Sequence, residues 1–77
     1  MKSLNYRILL RKELKGGYTV IIPSLPGCVT YGDSVEEAVE MAEEAIKLYI
    51  YKLKERGEEI PSEREISEYT LTVETYT

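Results

Sequence analysis

Residues 23–38, PSLPGCVTYGDSVEEA, carry the chain from one kind of periodicity into another, and that change decides the fold. Pro23 and Pro26 end a preceding strand and stiffen the turn, because proline donates no ladder hydrogen bond and fixes its own φ. Gly27 permits a sharp reversal. The next residues, CVTYG, read as a short strand. Ser34 then stands three residues before Glu37, the spacing of a capping box, in which side chains satisfy the orphan N–H groups of a helix start. Beyond it, Val35, Ala38, Val39, Ala42, Ile46, Tyr49, Ile50 and Leu53 recur at helical spacing and form one apolar stripe. Glu36, Glu37, Glu40, Glu43 and Glu44 crowd the first turns, where the helix dipole favours negative charge, and Lys47, Lys52, Lys54 and Arg56 occupy the later ones. With Gly57 as the residue just past the end, the pattern predicts a helix over about 34–56.

Upstream the period is two. In residues 4–14, LNYRILLRKEL, Leu4, Tyr6, Ile8 and Leu10 point one way and Asn5, Arg7 and Arg11 the other. KGG at 15–17 supplies the positive φ angles of a tight hairpin, and YTVIIP follows as a second strand with Tyr18, Val20 and Ile22 on one face. Downstream of the helix, EEIPSEREIS is a polar connection, and YTLTVETY at 69–76 alternates again as a last strand. The order is β-β-β-α-β, an α+β domain. Three antiparallel strands and a right-handed crossover through the helix give strand order 3-2-1-4 with the helix on one face. That arrangement resembles the first part of the ribonuclease H fold. The other sheet face has no helix to cover it, so a second subunit or a partner is expected there.

A chain of 77 residues with 43% hydrophobic and 31% charged residues is one small globular domain, 1–77, without internal repeats. Such a domain buries only roughly 60% of its unfolded surface, so oligomerisation is expected to supplement a thin core. The apolar aromatic content is all tyrosine, which suits a half-buried sheet face or an interface. The net charge is −4, unfavourable for direct nucleic-acid binding. The charge is also uneven. Lys2, Arg7, Arg11, Lys12 and Lys15 face only Glu13 in the first fifteen residues, whereas acids dominate from Glu36 onward. One cysteine permits no internal disulfide and points to a reducing, cytoplasmic setting. No apolar run approaches the roughly 20 residues of a membrane span.

Cys28 is the obvious chemical candidate, but a nucleophilic thiol needs a base or cation beside it, and the chain has no histidine. Lys15 and Lys47 are the nearest cations before and after it in sequence. Cys28 is therefore expected to be a small core residue. With one Cys and no His, only carboxylates remain as metal ligands. Two-metal nucleases of the ribonuclease H fold hold their ions with converging acids on strands and helix. Here the first strand carries no Asp, Glu13 lies near its end, Glu74 is the acid of the last strand, and the helix glutamates lie mostly on the solvent side. LPG lacks the further glycines and the Lys-Ser or Lys-Thr of a phosphate loop. No cofactor, metal site or enzymatic activity is expected.

The residues Tyr18, Pro23, Leu25, Pro26, Gly27, Cys28, Thr30, Gly32 and Ser34, continuing into Glu37-Ala38, Ala42 and Glu44-Ala45, resemble the HicB-type antitoxin family over about residues 4–61. The resemblance implies a partial ribonuclease H-like domain without the nuclease site. It implies a non-catalytic antitoxin that neutralises HicA, a small basic ribonuclease that cleaves messenger RNA. Many members carry a C-terminal DNA-binding segment; after residue 76 almost nothing remains here, so the expectation is the compact, HicB-like domain alone. The alternatives are a stand-alone structural or regulatory member, a small-ligand regulator with the loop as pocket rim, and a divergent metal-dependent nuclease.

The candidate partner-binding or loop-shaping residues are Tyr18, Pro23, Leu25, Pro26, Gly27, Cys28 and Tyr31; the helix cap is Ser34 and Glu37. Leu9 breaks the alternation of the first strand, and Met41, Leu48 and Tyr51 lie off the helix stripe; these four are candidates for self-association in a homodimer or higher oligomer. If Cys28 serves packing alone, Cys28→Ala loses about 1 kcal/mol in urea unfolding and keeps its biological activity.

Overall fold

The computed structural model describes residues 3–65 and 67–75. Three short strands form an antiparallel meander: β1 (Leu9–Lys12), β2 (Tyr18–Ile21) and β3 (Val29–Gly32). β2 lies in the centre, so β1 and β3 are the edges among the described residues. Leu9 pairs with Ile21 and Lys12 with Tyr18, while Tyr18 pairs with Gly32 and Ile21 with Val29. The helix α1 (Val35–Glu55) covers one face, and a short 3-10 turn follows at Glu63–Glu65.

The β1–β2 hairpin closes through Glu13 and Gly17, with Gly16 and Gly17 at φ 105° and 80°. Such angles disfavour any side chain larger than hydrogen. Glu13 locks the turn: its carboxylate accepts from Thr19 Oγ1 at 2.6 Å and from Arg11 Nε at 3.0 Å. Those bonds, that from Thr19 foremost, hold its pKa below the ordinary carboxylate value.

Regular pairing is shorter than the sequence pattern predicts. The first strand, expected over 4–14, pairs only at 9–12. In the observed register Arg7 would face Pro23, which has no N–H to give, and the chain there turns on itself instead. The Ile22 N–H donates to Cys28 O, Leu25 to Ile22 and Cys28 to Leu25. This compact loop folds Leu25 inward until it is wholly buried, and Cys28 with it.

The helix begins one residue after Ser34, whose hydroxyl accepts from the Glu37 N–H at 3.1 Å. The Glu37 carboxylate reaches past the cap residue and accepts from the Asp33 N–H at 2.8 Å. A reciprocal box would have used the Ser34 N–H; the orphan group satisfied here is one residue earlier. At the other end Gly57, at φ 70°, donates to Lys54 O and Glu58 donates to Leu53 O, the paired bonds of a Schellman motif.

The core is small: Val20, Ile22, Leu25, Cys28, Ala38 and Ala42, flanked by half-buried Tyr6, Ile8, Leu10, Tyr18, Ala45, Ile46 and Tyr49. Only Ala38, Ala42 and Leu53 of the helix stripe are fully buried, and Val35 and Val39 are exposed. Alanines at the buried positions let the helix approach the sheet until backbones touch. A Cβ built on Gly32 would stand 2.3 Å from Ala38 N and 2.4 Å from Ala38 Cα.

The expected order 3-2-1 of the meander is present, but no fourth strand is formed among the described residues. Residues 69–75 lie in no strand, with Tyr69, Leu71 and Val73 exposed, and Tyr76 falls outside the described residues. The alternation is present in the sequence, but among the described residues this segment acquires neither a ladder partner nor an apolar cover.

Two glycine substitutions separate backbone strain from overlap. At Gly27, φ is 78° and an added Cβ meets open space, so Gly27→Ala costs about 1 kcal/mol of strain alone. Gly32→Ala drives the helix off the sheet and costs about 3 kcal/mol. Urea unfolding should rank them in that order, and Gly27→Val, β-branched at positive φ, should be worse than Gly27→Ala.

Candidate partner-binding surfaces

Two surfaces combine exposure with apolar character. The first is the sheet face turned away from α1. The register places Leu9, Ile21 and Val29 in one row across the three strands and Arg11, Thr19 and Tyr31 in the next. Leu9 is 49% exposed, Val29 56% and Tyr31 47%. Leu9 therefore does not break its strand's alternation to no purpose; it completes an apolar row. The Tyr31 hydroxyl donates to Gly16 O at 3.0 Å, which fixes its ring against the hairpin, and Gly17 leaves the room for it.

The second surface is a groove of about 570 Å³ between the chain entering β1 and the helix. Leu4, Tyr6 and Ile8 form one wall, and Val39, Ile46 and Ile50 form the other. The alternation that the sequence shows over 4–10 thus persists below the paired part of β1, although no neighbouring strand among the described residues meets it.

The sequence-predicted residues divide between these surfaces and the core. Pro23, Pro26, Gly27 and Tyr31 are exposed and Tyr18 is half-buried. Leu25 and Cys28 are buried, so they shape the loop from within and offer no contact area to a partner. Burial pushes the Cys28 thiol up, which disfavours the reactive thiolate. The loop is buttressed from the helix side by Tyr49, whose hydroxyl donates to Pro26 O at 2.8 Å. Met41, Leu48 and Tyr51 lie exposed on α1. Among the described residues no three His, Cys, Asp or Glu side chains are grouped as metal ligands would be. No helix among the described residues is long and apolar enough to cross a membrane.

One polar cluster was not legible from sequence. Ser24 is buried, and its hydroxyl donates to the carboxylate of Glu63, which also accepts from the Arg7 backbone N–H. The Tyr6 hydroxyl donates to Pro61 O at 2.7 Å, and the Arg7 guanidinium pairs with Glu68. These bonds bind the connection after α1 to the end of the sheet. Their partners are separated by 39 residues or more, so no local spacing announces them.

With this geometry in view, the chain belongs to a known family: residues 6–76 match the HicB_like antitoxin of bacterial toxin-antitoxin systems. It is similar to the UPF0150 protein ssr1765 of Synechocystis, 48% identical over 59 residues that make up 77% of this chain and 75% of that one. The UPF0150 protein Ta0767 of Thermoplasma acidophilum is 41% identical over 75% of this chain and 84% of its own. Antitoxin HicB 1 of Photorhabdus laumondii is 38% identical over 79% of this chain, a match that spans 39% of that longer protein.

The Glu63 cluster makes a pH prediction. The Ser24 hydroxyl first, then the Arg7 N–H, hold the Glu63 carboxyl below its ordinary value. Its contribution to stability is therefore fully present above the unfolded carboxylate pKa, near 4.3, and is lost as pH falls through the lower folded value. Glu63→Gln should lower the melting temperature at pH 7 and flatten the acid side of the melting profile, measured by circular dichroism.

Proposed function

We propose that this chain is a non-catalytic antitoxin that binds and neutralises a small basic ribonuclease of the HicA type. The family match over residues 6–76 carries the reading. The relative named Antitoxin HicB 1 supports it, as do two features of the chain itself. The net charge of −4 complements a basic partner, and complementary charge speeds encounter and excludes wrong partners. The open sheet face supplies an apolar row, Leu9, Ile21 and Val29, rimmed by Arg11, Thr19 and Tyr31. An apolar centre with a polar and aromatic rim is the usual anatomy of a protein interface. The toxin seats on this face and the exposed part of the 23–27 loop, and the chain acts by occlusion. The chain works in the cytoplasm.

The test is co-purification from the native host, followed by an mRNA-cleavage assay of the captured protein with and without this chain. A small basic protein encoded beside the gene should come down and lose its ribonuclease activity in the complex. If none is captured and none is encoded there, the reading fails. Leu9→Asp combined with Val29→Asp should weaken the complex about 30-fold or more while leaving the helical circular dichroism intact, because both side chains are exposed in the free protein.

A further inference from the structure

We infer that the segment 69–75 is an exchange arm: it adds to the free edge of β1 in a second copy of this chain and fills that copy's groove, giving a two-fold strand-exchanged dimer. The inference goes beyond the antitoxin reading and does not depend on it.

The groove and the arm fit each other on both faces of the strand. Along the β1 side, Leu4, Tyr6, Ile8 and Leu10 turn toward the helix. By alternation, Arg7 and Arg11 turn the other way. In the arm, Tyr69, Leu71 and Val73 share one face, and Thr70, Thr72 and Glu74 share the other. A strand laid on this edge with its apolar side chains in the groove sets Thr70, Thr72 and Glu74 on the polar face of β1, where Arg7 and Arg11 already hold Glu68 and Glu13 of their own chain. Apolar meets apolar and polar meets polar in a single register. A shift by one residue would reverse both matches, so the pairing is specified. The groove wall on α1 from Val39 to Ile50 spans about 17 Å at 1.5 Å per residue, and seven extended residues reach about 23 Å. The arm is long enough.

The connection explains why a second copy is the occupant. The bonds of Pro61, Glu63 and Glu68 to Tyr6, Arg7 and Ser24 pin it at the end of the sheet. Glu68 is held at Arg7, partway along the groove wall. A run parallel to β1 from that point would carry Leu71 and Val73 past Ile8 and leave Leu4 and Tyr6 uncovered. The observed arm instead leaves the subunit, with Tyr69, Leu71 and Val73 at 89%, 84% and 67% exposure. The radius of gyration, 15.0 Å, exceeds the roughly 11.5 Å of a compact chain of this length. Each chain thus presents one arm and one groove, the self-complementary pair that a closed two-fold dimer requires.

The experiment uses the full chain without any toxin. Sedimentation equilibrium should give twice the 8.9 kDa chain mass. Leu71→Asp with Val73→Asp should raise the dimer dissociation constant about 30-fold or more, with the helical circular dichroism retained. In a mixture of isotope-labelled and unlabelled chains, isotope-filtered nuclear Overhauser effects should connect Leu71 and Val73 methyls of one copy to Ile8 and Ile46 of the other. A monomeric wild-type chain, a dimer untouched by the arm substitutions, or arm contacts confined to one chain would each overturn the inference. None of these readouts involves toxin binding, so failure of the antitoxin reading would leave the result standing.

Discussion

The architecture depends on how closely α1 approaches β3. Gly32 and Ala38 meet backbone to backbone, with no room for a methyl group between them. Ala42, one turn on, is also buried. Small residues at this crossing bring the helix axis close enough for Val20, Ile22, Leu25 and Cys28 to fill the remaining space. A domain this small has few buried side chains, so each determines where the others lie. The capped helix start at Ser34, two residues after Gly32, holds the approach in place.

The same economy leaves surfaces unfinished. Covering one face of three short strands with one helix consumes the fully buried apolar residues. What remains apolar, the Leu9–Ile21–Val29 row, the groove beside Leu4 and Tyr6, and the arm at 69–75, faces outward. Isolated exposed apolar side chains are ordinary, but rows and grooves are not. A chain with a thin core gains stability when such surfaces are covered.

The hairpins, the loop, the capped helix and its end at Gly57 were legible because each rests on local rules: period, proline and glycine chemistry, and the spacing of a cap. The structure displaced their ends by a few residues, most at the first strand, where Pro23 withholds a ladder hydrogen bond from the residues opposite. The burial of Cys28 was also legible, since a free cysteine in a chain without histidine is most often a small core residue. Of the candidate site, Tyr31, Pro23, Pro26 and Gly27 are on the surface, whereas Leu25 and Cys28 lie inside. Nothing in the spacing of a Pro-Gly loop says which of its side chains folds inward; the Ile22–Cys28 hydrogen bond and the Tyr49 brace decide it.

The sequence by itself determined the α+β order, the helix with its cap and the family pattern around the Pro-Gly loop. These arise from interactions between near neighbours, whose spacing is written in the chain. Only the tertiary structure decided that Glu63 joins Ser24 to Arg7, that Leu9 belongs to a row shared with Ile21 and Val29, and that the alternating segment 69–75 stands away from the sheet. Alternation states that a strand has an apolar face. Which edge it joins depends on where the connection before it is fastened, and that is fixed by hydrogen bonds between residues distant in the chain.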